Sequence, residues 1–266
     1  MWDRDALEAR IASVDRRQRH PAASPDPQET ALYRQLARRI TQRQQACCLG
    51  MTPELRGVLA ETFERLTSVD ISREAIDCYR AWLPEASRHR EQIHCSDWSD
   101  FFRTHAERRF QCIAGDAVFA NLAGADQAHA LALQLHGALH GGGVVLTRSL
   151  TLPEQPPDWR QLREAYRQGS IDAASFGLGV RLLGHSRTCH DPATGMLDNR
   201  AVFERCSQLH QDGELSSQEF SLIQRYRYSG RNWIPTQASW DAFLQKLPFS
   251  TTCHPLSGRH WYGYYK

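Results

Sequence analysis

Nowhere in the 266-residue chain do about 18 apolar residues run together, so nothing in it reads as a membrane-spanning helix. The N-terminus, Met1-Trp2-Asp3-Arg4-Asp5, is charged and lacks the apolar stretch of a secretory signal. Strong net charge is missing too. A formal +2 calls for no polyanionic partner, and clusters such as Arg16-Arg17-Gln18-Arg19 and Arg38-Arg39 read as solvated helix faces. The eight cysteines, Cys47, Cys48, Cys78, Cys95, Cys112, Cys189, Cys206 and Cys253, include no CxxC pair and no spacing of the zinc type. Cys189-His190-Asp191 sets a nucleophile beside a base, yet neighbours on one loop seldom face each other. Internal repeats and low-complexity segments are absent. Together these gaps lead us to expect a soluble cytoplasmic protein with reduced thiols, no metal, no membrane and no nucleic-acid partner.

With 41% hydrophobic residues, a chain of this length can bury a full core. Its most informative stretch is Cys47-Cys48-Leu49-Gly50-Met51-Thr52-Pro53-Glu54-Leu55, followed by Ser68-Val69-Asp70-Ile71-Ser72. A short apolar run, a glycine turn, a helix start and a second run ending in an acid make the skeleton of a nucleoside-binding βαβ unit. The glycine lets a ligand approach the backbone, the helix start offers unpaired N–H groups, and the acid can accept bonds from two ribose hydroxyls. Three glycines would mark a pyrophosphate site. Gly50 alone, with Thr52-Pro53-Glu54 filling the loop, points to a nucleoside without phosphates.

The remaining pattern is alternating. Helical spacing at Leu7, Ile11 and Val14, a break over Pro21 to Pro27, and a second face of Leu32, Leu36 and Ile40 make residues 1–44 an N-terminal helical cover. Strands are expected at Ala46 to Leu49, Thr67 to Val69, Gln92 to Cys95, Phe110 to Ala114 and Val144 to Thr147. Helices are read from Thr52-Pro53, from about Arg73 to Trp82 and from Ala125, the last stopped by Gly141-Gly142-Gly143, among four helical connections in all; Asp97-Trp98 follows the third strand directly. That order gives an α/β fold, a Rossmann-like doubly wound sheet of five parallel strands over residues 45–152. Residues 153–236 read as a helical insertion forming a substrate cap. Residues 237–266 read as a helix and an antiparallel hairpin, Phe249 to Cys253 with Trp261 to Tyr265, turning at Pro255-Leu256-Ser257-Gly258. In such sheets ligands sit at the carboxyl ends of the strands, where Gly50, Asp70, Asp97 and Asp116 all fall.

These residues resemble the class I S-adenosylmethionine-dependent methyltransferases, by motif over roughly Gln45 to Leu150 and by architecture to the hairpin. Leu49-Gly50-Met51-Thr52-Pro53-Glu54-Leu55 looks like a variant first motif of the form LGxTPEL. Asp70, with Ile71 beside it, matches the acid that grips the ribose. Asp97-Trp98 matches the acidic and hydrophobic pair beside adenine, and Gly115-Asp116 matches the fourth motif at the edge of the methyl-transfer cavity. The resemblance implies S-adenosylmethionine as cofactor, held by Gly50, Thr52, Glu54, Asp70, Ile71, Asp97, Trp98, Gly115 and Asp116, and a small-molecule acceptor. The chain departs from the pattern where the family has an acid at the end of the first strand: Cys48 stands near there. Glu54 or Thr52 could then meet the methionine amino group, while Glu54 equally suits a first-turn acid facing the helix dipole. Asp70 taken alone suits a helix cap as well as a sugar.

Methyl transfer needs positioning and desolvation more than a dedicated catalyst. Candidates beside the acceptor are Asp116, Asn121 and Arg148, with Tyr33 from the cover and His185 or His254 as bases. Arg225, Arg227 and Arg231, interleaved with Tyr226, Tyr228 and Trp233, form the one basic and aromatic cluster, which also reads as core aromatics among solvated arginines. Two alternatives accompany the methyltransferase reading. One keeps the cofactor but directs attack to another sulfonium carbon, releasing methylthioadenosine; the other is a non-catalytic relative serving as scaffold or regulatory subunit.

Overall fold

In a computed structural model, residues 24–228 and 230–254 are described. The expected helix around Leu7 to Val14 and the arm Trp261 to Tyr265 lie outside them.

Helix α1, Pro27–Arg38, opens with a capping box: the Asp26 carboxylate accepts from the Glu29 N–H at 2.7 Å while Glu29 accepts from the Asp26 N–H at 2.7 Å. Its inward face is Glu29, Tyr33 and Ala37 rather than Leu32, Leu36 and Ile40, which are only half-buried. The alternation then runs β1 Gln45–Leu49, α2 Pro53–Thr62, β2 Arg65–Asp70, α3 Arg73–Tyr79, α4 Glu85–Arg88, β3 Glu91–Cys95, α5 Trp98–Thr104, β4 Phe110–Gly115, α6 Ala125–Ala138 and β5 Leu139–Thr147. The five strands form one parallel sheet in the order β3-β2-β1-β4-β5. Strand β5 begins at Leu139, so Gly141 to Gly143 lie within the strand and not after the helix.

Alternation along the strands sorts the core into two layers. Cys47 and Leu49 pack with Phe101, Ile113, Leu131 and Trp240 on one face; Ala46 and Cys48 pack with Leu55, Leu59 and Tyr33 on the other. Both faces are covered, which is why the strands read as apolar runs. A buried ion pair stitches one flank. Arg56, in the middle of α2, is fully buried and donates to both oxygens of Glu91 at 2.7 and 2.6 Å and to the Tyr79 carbonyl at 2.7 Å; Ser68 Oγ also donates to Glu91 at 2.6 Å. Nothing in the sequence singled out this pair, because an arginine on a helix reads as solvated.

Residues 153–236 are not helices alone. Helices α7 Trp159–Arg167, α8 Ala173–Gly179, α9 Ser186–Cys189, α10 Asn199–Gln211 and α11 Ser217–Gln224 enclose a core of their own around Phe176, Val202 and Tyr226. Between them lies a three-stranded antiparallel sheet of β6 His190–Asp191, β7 Met196–Asp198 and β8 Arg231–Trp233, in that order. Strands of two or three residues leave too little periodicity to be seen in sequence. The buried Arg181 guanidinium donates to Asn199 and Asn232, and Asn232 Nδ2 donates across to the Ala120 carbonyl at 2.8 Å, in the turn that follows β4. Helix α12, Gln237–Leu244, lays Trp240 and Phe243 on Phe119 and Trp233. Phe249 to Cys253, expected as the first hairpin arm, carries no strand; these residues line a groove instead. Among the described residues no helix is long and apolar enough to cross a membrane.

Candidate functional site

The chain moves outward through β1, β2 and β3, then returns to start β4 on the other side of β1, so the order reverses between β1 and β4. A crevice opens at the carboxyl ends of the strands at such a point. Register fixes what lines it. Leu49 pairs with Val69 and Gly115, and Gly115 pairs with Thr147, so Gly50, Asp70, Asp116 and Arg148 leave the sheet side by side.

At the β1–β2 half, Gly50 adopts φ +91, a conformation that favours glycine, and its N–H donates to the Val69 carbonyl at 2.7 Å. A Cβ there would stand 3.9 Å from Asp70 Oδ2, so the glycine keeps the space above the carboxylate clear. Asp70 accepts from the Met51 N–H at 3.2 Å on Oδ2 and from the Ser72 N–H at 2.8 Å on Oδ1. Each oxygen retains a second lone pair. Burial raises the Asp70 carboxyl above the usual carboxylate range, against the lowering effect of those two N–H groups. The cap of α3 is Ser72, not Asp70. Ile71 is 57% exposed, an apolar shelf at the end of β2.

Thr52 occupies the N-cap of α2 with Pro53 behind it, and its hydroxyl makes no capping bond. Glu54 sits half-buried in the first turn. Asp97 does cap α5, through Oδ1, which accepts from the Ser99 and Asp100 N–H groups at 2.8 and 3.3 Å; Oδ2 takes neither bond. Trp98 donates from Nε1 to the Val69 carbonyl at 3.0 Å, the same oxygen that receives Gly50, and packs half-buried against the core. The ring expected beside adenine thus shares the Val69 carbonyl with Gly50, and the acid caps the helix that carries the ring.

At the β4–β5 half the arrangement is ionic. Arg148 donates to Asp116 through Nε at 2.8 Å and Nη2 at 2.9 Å, and through Nη1 to both oxygens of Glu29 at 3.0 Å. All three side chains are nearly buried. Burial raises the Glu29 carboxyl, although Arg148 works to lower it. Tyr33 is buried beside them, and its hydroxyl has no side-chain hydrogen-bond partner among the described residues; burial first, then the charge of Asp116, pushes it well above the usual phenol range. Gly115 is a packing glycine: a Cβ there would lie 2.4 Å from Val118 Cγ2 and 3.0 Å from Leu49. Ala117, next to Asp116, holds a positive φ of 51, strained for a residue with a side chain.

Asn121 does not join this group. It is exposed, and its amide donates to the Ala117 carbonyl at 3.0 Å, closing its own turn. His185 also lies elsewhere, buried in the insertion with Nε2 3.5 Å from Cys206 Sγ, where burial and Arg205 lower it to about 4. His254 is exposed at the groove described below. In Cys189-His190-Asp191 the histidine meets the Ile234 carbonyl at 2.8 Å and the aspartate caps its own turn through Ala193 and Thr194, so no relay forms. Tyr226 and Trp233 are core residues, and Arg231 lies 3.9 Å from Asp198 on the surface. Among the described residues no group of three or more His, Cys, Asp or Glu is placed to hold a metal ion.

Glu29 is the residue that sequence reasoning missed. The signal was present as Asp26-Pro27-Gln28-Glu29, but that pattern announces a helix start and says nothing of Arg148, 119 positions on.

A groove of about 870 Å³ opens from this cluster along β5, between α1 and the segment after α12. Glu29, Tyr33, Arg148 and Ser149 lie at one end; Leu32, Leu36, Phe119, Trp240, Leu244 and Phe249 form its walls.

No family model matches the chain, and no curated protein matches its sequence. Among solved structures, the N-methyltransferase NodS from Bradyrhizobium japonicum WM9, in complex with S-adenosyl-L-homocysteine, is similar over 55% of this chain and 72% of its own, at 16% identity and a TM-score of 0.45. The sugar N-methyltransferase KedS8 from Streptoalloteichus sp ATCC 53650 is similar over 48% of this chain and 50% of its own, at 18% identity and a TM-score of 0.41. The CcbJ methyltransferase from Streptomyces caelestis is similar over 49% of this chain and 55% of its own, at 17% identity and a TM-score of 0.41.

Proposed function

We propose that the chain is an S-adenosylmethionine-dependent methyltransferase acting on a small-molecule acceptor in the cytoplasm, where its eight free cysteines would stay reduced. One observation carries the reading: Gly50, left-handed and side-chain-free, lies over an Asp70 carboxylate that still has lone pairs to give, with Ile71, Asp97 and Trp98 continuing the same edge. A nucleoside fits these groups. Asp70 would accept from the ribose hydroxyls, Asp97 Oδ2 from the exocyclic amine, and Ile71 with the Trp98 ring would flank the base. Thr52 and the open N–H groups of α2 would face the amino-acid end, with Glu54 near its ammonium.

When bound, the cofactor supplies an electrophilic methyl carbon: the acceptor's lone pair forms the new bond, the carbon–sulfur bond breaks, and its pair returns to sulfur. The residues here bind, orient and exclude water, and Asp116 with Arg148 form the rigid wall beside the reacting position.

Calorimetry of the full chain with S-adenosylmethionine and S-adenosylhomocysteine tests the reading; binding of either is expected, and silence from both sinks it. Product analysis separates methyl transfer, which leaves S-adenosylhomocysteine, from attack at another carbon, which leaves methylthioadenosine. A second reading, a non-catalytic relative, draws on the missing acid at the end of β1 and on Asp116 being committed to Arg148. Cofactor binding without turnover on any acceptor would favour it.

A further inference from the structure

The groove along β5 has ends of different character. At the carboxyl edge, two buried carboxylates, Glu29 and Asp116, share the Arg148 guanidinium, and a third, Asp26, lies beside Glu29 in the same lining, so among the described residues the carboxylates outnumber the cation. Tyr33 turns a buried hydroxyl, with no side-chain hydrogen-bond partner among the described residues, into the same cluster. Arg39, His136 and His140 line the groove at its other end. Arg39 is separated from Glu29 by most of α1, about 15 Å along a helix of this length, and His140 stands near the start of β5 while Arg148 follows its end. Between the two ends the walls are apolar. Buried negative charge in excess over its counterion is costly, and a cation entering from the groove would relieve it. Its seat would be one strand spacing from Gly50, since Leu49 and Gly115 are paired neighbours.

We propose that this groove is the acceptor site and that it takes a primary or secondary amine on an apolar body, seated as the ammonium against Glu29, Asp116 and the Tyr33 hydroxyl and giving one proton to the Glu29 carboxylate before its freed lone pair attacks the methyl carbon. The inference rests on the methyltransferase reading for its link to chemistry. The Tyr33 oxygen and the spare lone pairs of both carboxylates supply acceptors for the ammonium hydrogens, and Leu32, Leu36, Trp240 and Phe249 supply the surface for the body. A carboxylate-headed acceptor meets like charge at this end, and a neutral alcohol gains no charge pairing.

The test uses the full chain saturated with S-adenosylhomocysteine and three probes of one shape: 2-phenylethylamine, 2-phenylethanol and 3-phenylpropanoate, with octylamine and octanol as a second, aliphatic pair. Calorimetry should give the amines about tenfold tighter binding than their alcohols, the size of one charge-assisted hydrogen bond. Tyr33→Phe, which removes a hydroxyl with no side-chain partner among the described residues, should narrow that preference by weakening the amines more than the alcohols. Glu29→Gln should do the same, with S-adenosylhomocysteine affinity as the check that the chain is folded. Equal affinity of amine and alcohol, preference for the carboxylate, or no binding by any probe overturns the inference. Failure of S-adenosylhomocysteine to bind would instead strike the methyltransferase reading beneath it.

Discussion

Two halves of one sheet edge carry aspartates at matching places, and they use them differently. Asp70, at the end of β2, has only backbone N–H groups for partners among the described residues and keeps lone pairs open. Asp116, just past β4, is gripped at both oxygens by a guanidinium that also holds Glu29. A carboxylate held by neutral donors stays available as an acceptor, whereas one held by a cation becomes part of a wall and sets the local charge. The same residue type is thus left with open acceptor positions on one side and locked into an ion pair on the other.

The sharpest way to break this comparison is Arg148→Ala. Leaving Asp116 and Glu29 buried without their cation should cost about 3–5 kcal/mol in denaturant unfolding. Affinity for S-adenosylhomocysteine, measured at a temperature where the variant is folded, should stay within about threefold, less than one 1.4 kcal/mol step. Parallel losses in both would show that the halves are not separate.

Asp70→Ala reverses the pattern. It should weaken S-adenosylhomocysteine by about 1.5–3 kcal/mol while changing stability less than Arg148→Ala does, because its two backbone bonds are partly offset by the relief of burial. Unchanged affinity would remove Asp70 from the site. The pH dependence follows from the direction of its shift. On the proposed reading the ionised form would accept the ribose bonds, and burial raises its pKa, so on acidification affinity should start to fall at a higher pH than for an ordinary aspartate. In Asp70→Asn that dependence should vanish. Folding stability runs the other way for this group: its native pKa is raised, so its burial cost is present above that pKa and is relieved as pH falls through it.

Gly50→Ala should cost about 1–2 kcal/mol of stability from its left-handed backbone, and nucleoside affinity should fall with it as the methyl intrudes over Asp70. Smallest of all, Asn121→Ala should shift stability by no more than about 0.5 kcal/mol and leave binding alone, since the residue is exposed and bonded only to its own turn.

What could be read from the sequence follows the range of the interactions. Apolar runs bounded by glycine, proline and capping residues located all five parallel strands: β1, β2 and β4 are buried along most of their length, and the half-exposed edge strands β3 and β5 are marked by the turns and helix starts around them. Gly50, Asp70, Asp97 and Asp116 were found at strand ends for the same local reason. Pairings across the chain were hidden. Arg56 with Glu91, and Arg148 with Glu29, join residues whose neighbours in sequence give no sign of burial. The short strands β6, β7 and β8 were missed because so few residues carry no period, and His185 could be named only as a candidate base because residue type alone does not reveal which core surrounds it.

The single amide of Asn232 reaches from the insertion to the Ala120 carbonyl in the turn beyond Asp116. This makes the turn's position a property of two modules at once. An exchange of residues 153–236 for a cassette from another protein would need a side-chain amide at this point, or the turn holding Asp116 would lose its outer anchor. Changes in acceptor range would then arise from a bond that touches neither substrate nor cofactor.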